Sequence, residues 1–247
     1  MKRGQVALFV LLGLVLVLAL FLVFYFSQEE SHEALVKEIP AQFSALHTSL
    51  QSCLDATVYQ GITLLAHMGG HFPFIGPSQG AVSYYYKNGE YFIPDLGDLE
   101  KSLARYLTLE MPLCFDFLDY TFQKEGNLTI SFVSLRADSV KVVIKKPFVV
   151  GTEGLTTSFD TFTVVVHTSL SSLRDISENL VQDMIVDSSL CVTCVSDIAD
   201  TSEFYIAVQE MDDTVFFVSV IDDSDMYLRY QFLVGLSEGG DTDEETL

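Results

Sequence analysis

Four cysteines carry the most distinctive chemistry of the chain: Cys53, Cys114, Cys191 and Cys194. Four cysteines allow three disulfide pairings, and the sequence spacing leaves all three open. Cys191 and Cys194 form a CxxC pair, which in a thioredoxin-type redox protein opens a helix after a strand. Here the pair follows a predicted helix, so we expect a structural role. A zinc site built from all four is disfavoured, because Cys53 and Cys114 do not form a second CxxC pair.

Two histidines, His67 and His71, are four residues apart, the spacing that places zinc ligands on one face of a helix. The general-base glutamate of a metalloprotease is missing, because Met68 occupies its position. Gly69 and Gly70 are expected to end the helix before His71, since glycine accepts left-handed backbone. We therefore interpret both histidines as polar residues at a helix end and predict neither a metal nor a cofactor.

Carboxylates are concentrated in two predicted turns near the C-terminus, which contain Asp212 and Asp213 in one turn and Asp222, Asp223 and Asp225 in the neighbouring turn. Together they are candidates for a calcium site. A calcium loop needs acidic residues at alternating positions, a glycine and a distal glutamate, and this pattern is not met. Aspartate is also common in turns because its side chain hydrogen-bonds the local backbone. We favour this second interpretation.

Other polar motifs give weak or no signals of function. Asn127-Leu128-Thr129 is an N-glycosylation sequon at the start of a predicted strand, where it is expected to be exposed. In the run Tyr84–Tyr86, strand alternation sends Tyr85 to one face and its neighbours to the other, and one face is expected to be core. No serine lies in a GxSxG turn, and His167 has no evident acid and nucleophile pattern. There is no GxGxxG or Walker loop, so no catalytic residue is predicted.

Helices are predicted where apolar residues recur at steps of three and four. The first covers residues 31–68, and Pro40 is expected to kink it. A second is opened by Pro94-Asp95 and ends before Pro112. A third covers residues 170–187, and residues 195–200 form a short helical turn.

Strands are predicted on both sides of the third helix. Asn88-Gly89 is a hairpin signal that joins Val82–Tyr86 to Tyr91–Ile93. The remaining predicted strands are 128–133, 140–144, 159–166 (after Pro147 and a Gly-rich turn), 203–210, 214–221 and 227–236. This order predicts an α+β fold with antiparallel sheets and helices packed on one side.

An apolar run from Val6 to Phe26 contains 21 residues without a charge. At about 1.5 Å per residue, a helix of this length crosses the ~30 Å hydrocarbon core of a bilayer. Lys2 and Arg3 precede the run, so the positive-inside rule places residues 1–5 in the cytoplasm and the remainder outside. A cleaved secretory signal is disfavoured because the run is long and ends in Phe24-Tyr25-Phe26 instead of small residues.

The region after the apolar run is strongly acidic. Of 13 Lys and Arg in the chain, Lys2 and Arg3 precede the run, which leaves 11 against 34 Asp and Glu and a formal charge of −23. Nucleic acid is excluded as a partner, because binding it requires basic residues that replace counterions. The tail 238–247 is acidic and poor in apolar residues, which predicts disorder.

The N-terminus resembles the class III signal of archaeal type IV pilin-like proteins. The residues that carry the resemblance are Lys2-Arg3-Gly4-Gln5, followed directly by the apolar helix. The resemblance implies that a prepilin peptidase cuts between Gly4 and Gln5. Pilin subunits usually carry an acidic residue at the fifth mature position, where this chain has Phe9. That difference argues against filament assembly.

The chain as a whole is similar to uncharacterised single-span membrane proteins of small-genome archaea of the DPANN type. The matching segments are Lys2–Gln5, Ser52–Leu54 with Gly61, Leu64-Leu65 before Gly69-Gly70, Ser83–Tyr86 through Pro94, Leu113-Cys114, Pro147-Phe148 at a strand end, Cys191–Cys194 and Asp222. The resemblance implies a topology and a disulfide between Cys53 and Cys114. It implies no activity.

The sequence therefore predicts a non-enzymatic, membrane-anchored cell-surface protein whose ectodomain binds or assembles with envelope partners or with itself. Its predicted parts are a cytoplasmic stub (1–5), a transmembrane helix in the lipid bilayer (6–26), a helical stalk (27–70), an extracytoplasmic α+β domain (71–237) and the acidic tail (238–247). One alternative is a type IV pilin-like filament subunit. The other is an extracytoplasmic hydrolase or thiol redox protein.

Overall fold

The computed structural model describes residues 41–74, 76–116, 122–152, 155–186, 192–212, 214–224 and 226–236. The chain divides into two compact units, Met1–Phe43 and Ser44–Leu247, and only residues 41–43 of the first are described. Among the described helices, none combines the length and apolar character needed to cross a bilayer. The apolar run 6–26, Pro40 and the tail 238–247 lie outside the described residues.

The described residues form an α+β arrangement in which runs of strands are separated by helices. The helices are α1 (Ala41–His67), α2 (Leu96–Glu110), α3 (Leu113–Asp116), α4 (Leu170–Val186) and α5 (Val192–Thr201). The strands are β1 (Ser78–Gln79), β2 (Val82–Lys87), β3 (Glu90–Tyr91), β4 (Phe122–Glu125), β5 (Thr129–Leu135), β6 (Ser139–Thr152), β7 (Leu155–His167), β8 (Tyr205–Asp212), β9 (Val215–Asp222) and β10 (Leu228–Gly235).

The first sheet has the strand order β1-β2-β10-β9-β8, with β3 paired to β2. Its hairpins are antiparallel, but β10 pairs with β2 in parallel, with Leu233 opposite Tyr84. The prediction of an antiparallel sheet is therefore wrong for this pair. A turn dictates the direction of a hairpin, whereas β2 and β10 are joined by most of the chain and no local signal records how they pair.

The second sheet is built on the long hairpin of β6 and β7, which pair antiparallel from Ser139–His167 to Thr152–Leu155. Strands β5 and β4 pair with successive parts of the other edge of β6. The prediction that this strand ends at residue 144, before Pro147, is wrong. The β6–β7 register shifts between Lys145 and Phe148, and such an irregularity accommodates a proline because a ladder hydrogen bond is already interrupted there.

The second sheet has an apolar inner face and an open outer face. On the inner face Val142, Ile144 and Phe162 are at most 3% exposed, and His47 of α1 stacks on Phe162 with ring centroids 6.1 Å apart. The outer face consists of three cross-strand rows from β5, β6 and β7, namely Ser134–Lys141–Val165, Phe132–Val143–Thr163 and Thr129–Lys145–Thr161.

A disulfide joins helix α1 to helix α3. The Cys53 and Cys114 sulfurs are bonded at 2.03 Å, and the two residues are 61 positions apart in sequence. This is the pairing that the resemblance implies. The next residue, Phe115, makes edge contacts with Phe148 and Phe162 of the second sheet, so the bond lies beside the core.

Candidate functional site

An open cleft of about 510 Å³ lies where the hairpin of β6 and β7 meets the start of helix α4. It is lined by Ala137, Asp138, His167, Thr168, Ser169, Ser224 and Met226. The β6–β7 register places His167 opposite Ser139, next to Asp138. The backbone N–H of Thr168 donates to the Asp138 carbonyl at 3.0 Å and closes this end of the hairpin. The cleft therefore collects hydroxyl, carboxylate and imidazole groups from segments far apart in sequence.

The side chain of Asp222 links the turn after β9 to the beginning of α4 through hydrogen bonds. Its carboxylate accepts a short hydrogen bond from the Ser169 hydroxyl and a 2.9 Å bond from the backbone N–H of Ser224. Burial acts to raise the pKa of Asp222, but these hydrogen bonds outweigh it and hold the pKa below its ordinary value. Asp222 is therefore a structural anchor at the edge of the cleft.

In the cleft the Ser169 hydroxyl is held by a carboxylate. A serine nucleophile needs a general base within hydrogen-bond reach, usually histidine. The hydroxyl of Ser169 instead donates to Asp222, which holds it as part of the helix start. The groups facing the cleft, including Thr168 and His167, can exchange hydrogen bonds with a polar ligand.

The two aspartate-rich turns lie at opposite ends of β9. Asp212 precedes this strand and is paired with Val215, whereas Asp222 ends the strand and is paired with Leu228. Seven residues of strand separate the turns by about 23 Å. The described aspartates of the two turns, Asp212 and Asp222, are therefore too far apart to bind one cation. Asp213 and Asp225 lie outside the described residues.

His67 and His71 bind different partners. The His67 Nδ1 lies 2.9 Å from the side-chain oxygen of Gln231, whereas His71 is buried and its Nε2 donates to the Phe92 carbonyl at 2.9 Å. Helix α1 ends at His67, and Gly70 has a φ of +83°. The predicted helix end is confirmed. Within the described part of the chain, no group of three or more His, Cys, Asp or Glu side chains is placed to hold a metal ion.

Two fully buried tyrosines occupy the interior of the first sheet. The Tyr85 and Tyr230 hydroxyls are 2.5 Å apart, and both rings are completely inaccessible. Arg174 of α4 donates from Nε to the Pro94 carbonyl at 2.8 Å and forms an ion pair with Glu178. Burial raises the pKa of both tyrosines, because an ionised phenolate is poorly solvated there.

The tyrosine pair is expected to limit stability at alkaline pH. A pKa that is higher in the folded state gives stability that is complete below pH ~10 and is lost as the pH rises, by up to ~1.4 kcal/mol per pH unit for each tyrosine. Tyr85→Phe should therefore reduce the fall in unfolding free energy above pH ~10, measured by denaturant titration. Tyr91→Phe is the control, because Tyr91 is 58% exposed. An unchanged alkaline slope in Tyr85→Phe would contradict this account.

The remaining predicted site residues have different outcomes. Asn127 is exposed and lies just before β5, as expected for a sequon. In β2 both Tyr84 and Tyr85 are almost fully buried, so the expectation that one strand face is core is confirmed and the opposite face is buried there as well. Residues Gly4, Gln5 and Cys191 lie outside the described residues, and residue 194 lies within helix α5.

Two features of the molecule were missed by sequence reasoning. The cleft was missed because Asp138 and Ser169 approach His167 only once β6 and β7 are paired in the observed register. The outer face was missed although the alternation in Val140–Lys145 could have indicated it. In that segment buried Val140, Val142 and Ile144 alternate with Lys141, Val143 and Lys145.

No protein family, curated protein or solved structure matches the chain.

Proposed function

We propose that the chain is a membrane-anchored, extracytoplasmic protein whose ectodomain binds or assembles with envelope partners and performs no catalysis. In this proposal residues 6–26 cross the bilayer, and helix α1 belongs to the domain that follows, where its Cys53 is bonded to Cys114. The acidic α+β domain then faces away from the cytoplasm. Lys2 and Arg3 support this topology, because positive charges before a membrane span favour a cytoplasmic N-terminus and an ectodomain on the other side.

The observation that carries the proposal is the bond between Cys53 and Cys114. Disulfides persist in oxidising surroundings such as a cell surface and are rare in the cytosol. A disulfide beside the core of this domain therefore supports an extracytoplasmic location, the same location that the charges around the apolar run favour. The two arguments are independent, since one uses the N-terminal charges and the other the packed domain.

A binding role is favoured over hydrolysis because side chains that could serve as nucleophile or base are held in structural hydrogen bonds, both in the cleft and at the end of α1. The Ser169 hydroxyl is committed to Asp222, and the two histidines of the HxxxH motif are committed to Gln231 and Phe92. Because the Ser169 hydroxyl pairs with a carboxylate, it is not paired with a histidine base there. A filament subunit is the second candidate, favoured by Gly4-Gln5 immediately before the apolar helix.

Protease added to intact cells should digest the domain from residue 44 onward, because the proposal places it outside the membrane. The control is the Lys2→Glu, Arg3→Glu variant, in which removal of the charge bias should yield a protected fraction. Immunoblotting of the cell pellet measures both. Complete protection of the wild-type chain would overturn the proposal. Mechanical shear of the same cells separates the two candidates, since filaments are released and an anchored chain stays in the membrane.

A further inference from the structure

The outer face of the second sheet differs in charge from the rest of this acidic chain. The chain has 34 Asp and Glu against 13 Lys and Arg, yet none of the residues in the three outer-face rows is acidic. Two are lysines, Lys141 and Lys145, and the others are apolar or carry hydroxyl groups. Phe132 and Val165 are each 53% exposed on this face. An apolar, cationic surface is thus presented by a protein of net charge −21.

The two lysines of this face have no carboxylate partner in the described part of the chain. By contrast Lys101 pairs with Asp98, Lys146 with Glu125, and Arg174 with Asp175 and Glu178. A carboxylate does border the face, since the Thr161 hydroxyl donates to Asp160 at 3.1 Å, but neither Lys141 nor Lys145 is ion-paired with it. Their charge is therefore available to an external anionic group.

The spacing of the outer-face side chains along β6 indicates which kind of partner fits this surface. Lys141, Val143 and Lys145 project from the same face at intervals of about 7 Å, twice the rise of a strand. An extended polypeptide has the same interval, so acidic side chains on both sides of an apolar one match the lysine–valine–lysine order. We propose that the outer face binds an extended, carboxylate-bearing segment of a partner protein. This rests on the proposed function of the ectodomain in binding envelope proteins and assigns the surface and the chemistry of the partner.

The apolar middle row distinguishes a protein segment from other polyanions. Phe132 and Val143 lie in one row between the two lysine rows, and Val165 flanks them. An acidic polysaccharide or polyphosphate would satisfy the lysines but would leave this row in contact with water. A peptide that alternates glutamate with valine or phenylalanine would cover it.

Fluorescence anisotropy of a labelled peptide with alternating glutamate and valine or phenylalanine tests the proposal. The full-length chain is reconstituted in phosphatidylcholine nanodiscs, whose zwitterionic lipid adds no net charge. Binding should weaken as salt is raised. The Lys141→Gln, Lys145→Gln variant should bind about tenfold more weakly, since each exposed charge pair contributes up to ~1 kcal/mol. Phe132→Ser should also weaken binding.

Matched controls make each outcome decisive. Lys101→Gln removes a lysine already paired with Asp98 and should leave peptide binding unchanged. The peptide with glutamine in place of glutamate should bind poorly. The proposal is overturned if the acidic peptide does not bind, if the double lysine variant binds it equally well, or if alginate binds and the peptide does not. A chain that fails to insert into nanodiscs would overturn the membrane anchor alone, because peptide binding can still be measured on the protein in solution.

Discussion

Replacing Cys53 with alanine is expected to lower the free energy of unfolding by about 4 kcal/mol. The bond between Cys53 and Cys114 closes a loop between residues 61 positions apart, and in the chain-entropy model that closure restricts the unfolded chain. The loop contains strands β1 to β3 and helix α2. Loss of the disulfide therefore gives a large part of the unfolded domain more conformational freedom. Urea titration of the full-length protein, followed by circular dichroism without reductant, measures the change.

The matched variants test whether the bond itself is responsible. Cys114→Ala should cost about as much as Cys53→Ala, and the double variant should be little worse than either, because each removes the same covalent link. Losses that add in the double variant would mean that the two side chains act separately. Peptide mapping without reduction should find Cys53 joined to Cys114, and a different pairing would contradict the structure.

Local signals in the sequence were sufficient for most helices and hairpins. Asn88-Gly89 forms the predicted turn with φ values of 54° and 85°, which a two-residue hairpin requires. Asp95 caps helix α2 by accepting from the Asp98 backbone N–H at 2.7 Å, as the Pro94-Asp95 signal predicts. In these cases the residues that determine the structure are within four positions of one another.

Features that depend on distant pairing could not be read from the sequence. The parallel pairing of β2 with β10 joins residues such as Tyr84 and Leu233, and no turn records its direction. The cleft and the outer face also exist only after β6 has found β7. The continuation of β6 past Pro147 has the same cause, since a proline is tolerated where the partner strand shifts register. Each of these features depends on pairing between segments that are far apart in sequence.

Gly70→Ala is expected to be among the most destabilising single substitutions, at about 2–5 kcal/mol. The residue has a φ of +83°, and a Cβ there would lie 2.6 Å from both the Leu99 Cδ2 and the Tyr230 hydroxyl. It would also lie 2.8 Å from the Pro94 ring. The methyl group therefore meets a strained backbone and a closely packed core at once. Chemical denaturation of the full-length protein measures the loss.

Gly89→Ala separates the backbone cost from the packing cost. Gly89 has a similar φ of +85°, but no heavy atom lies within 4 Å of the Cβ that alanine would add. Its substitution should cost only ~1–2 kcal/mol, the penalty of left-handed backbone. Gly70→Ala should cost less in a Tyr230→Phe background than in the wild-type chain, because the closest polar atom is then absent, and this difference measures the coupling between the two sites. Equal losses for Gly70→Ala and Gly89→Ala would mean that the core around Tyr230 yields to the methyl group and that backbone strain is the whole effect.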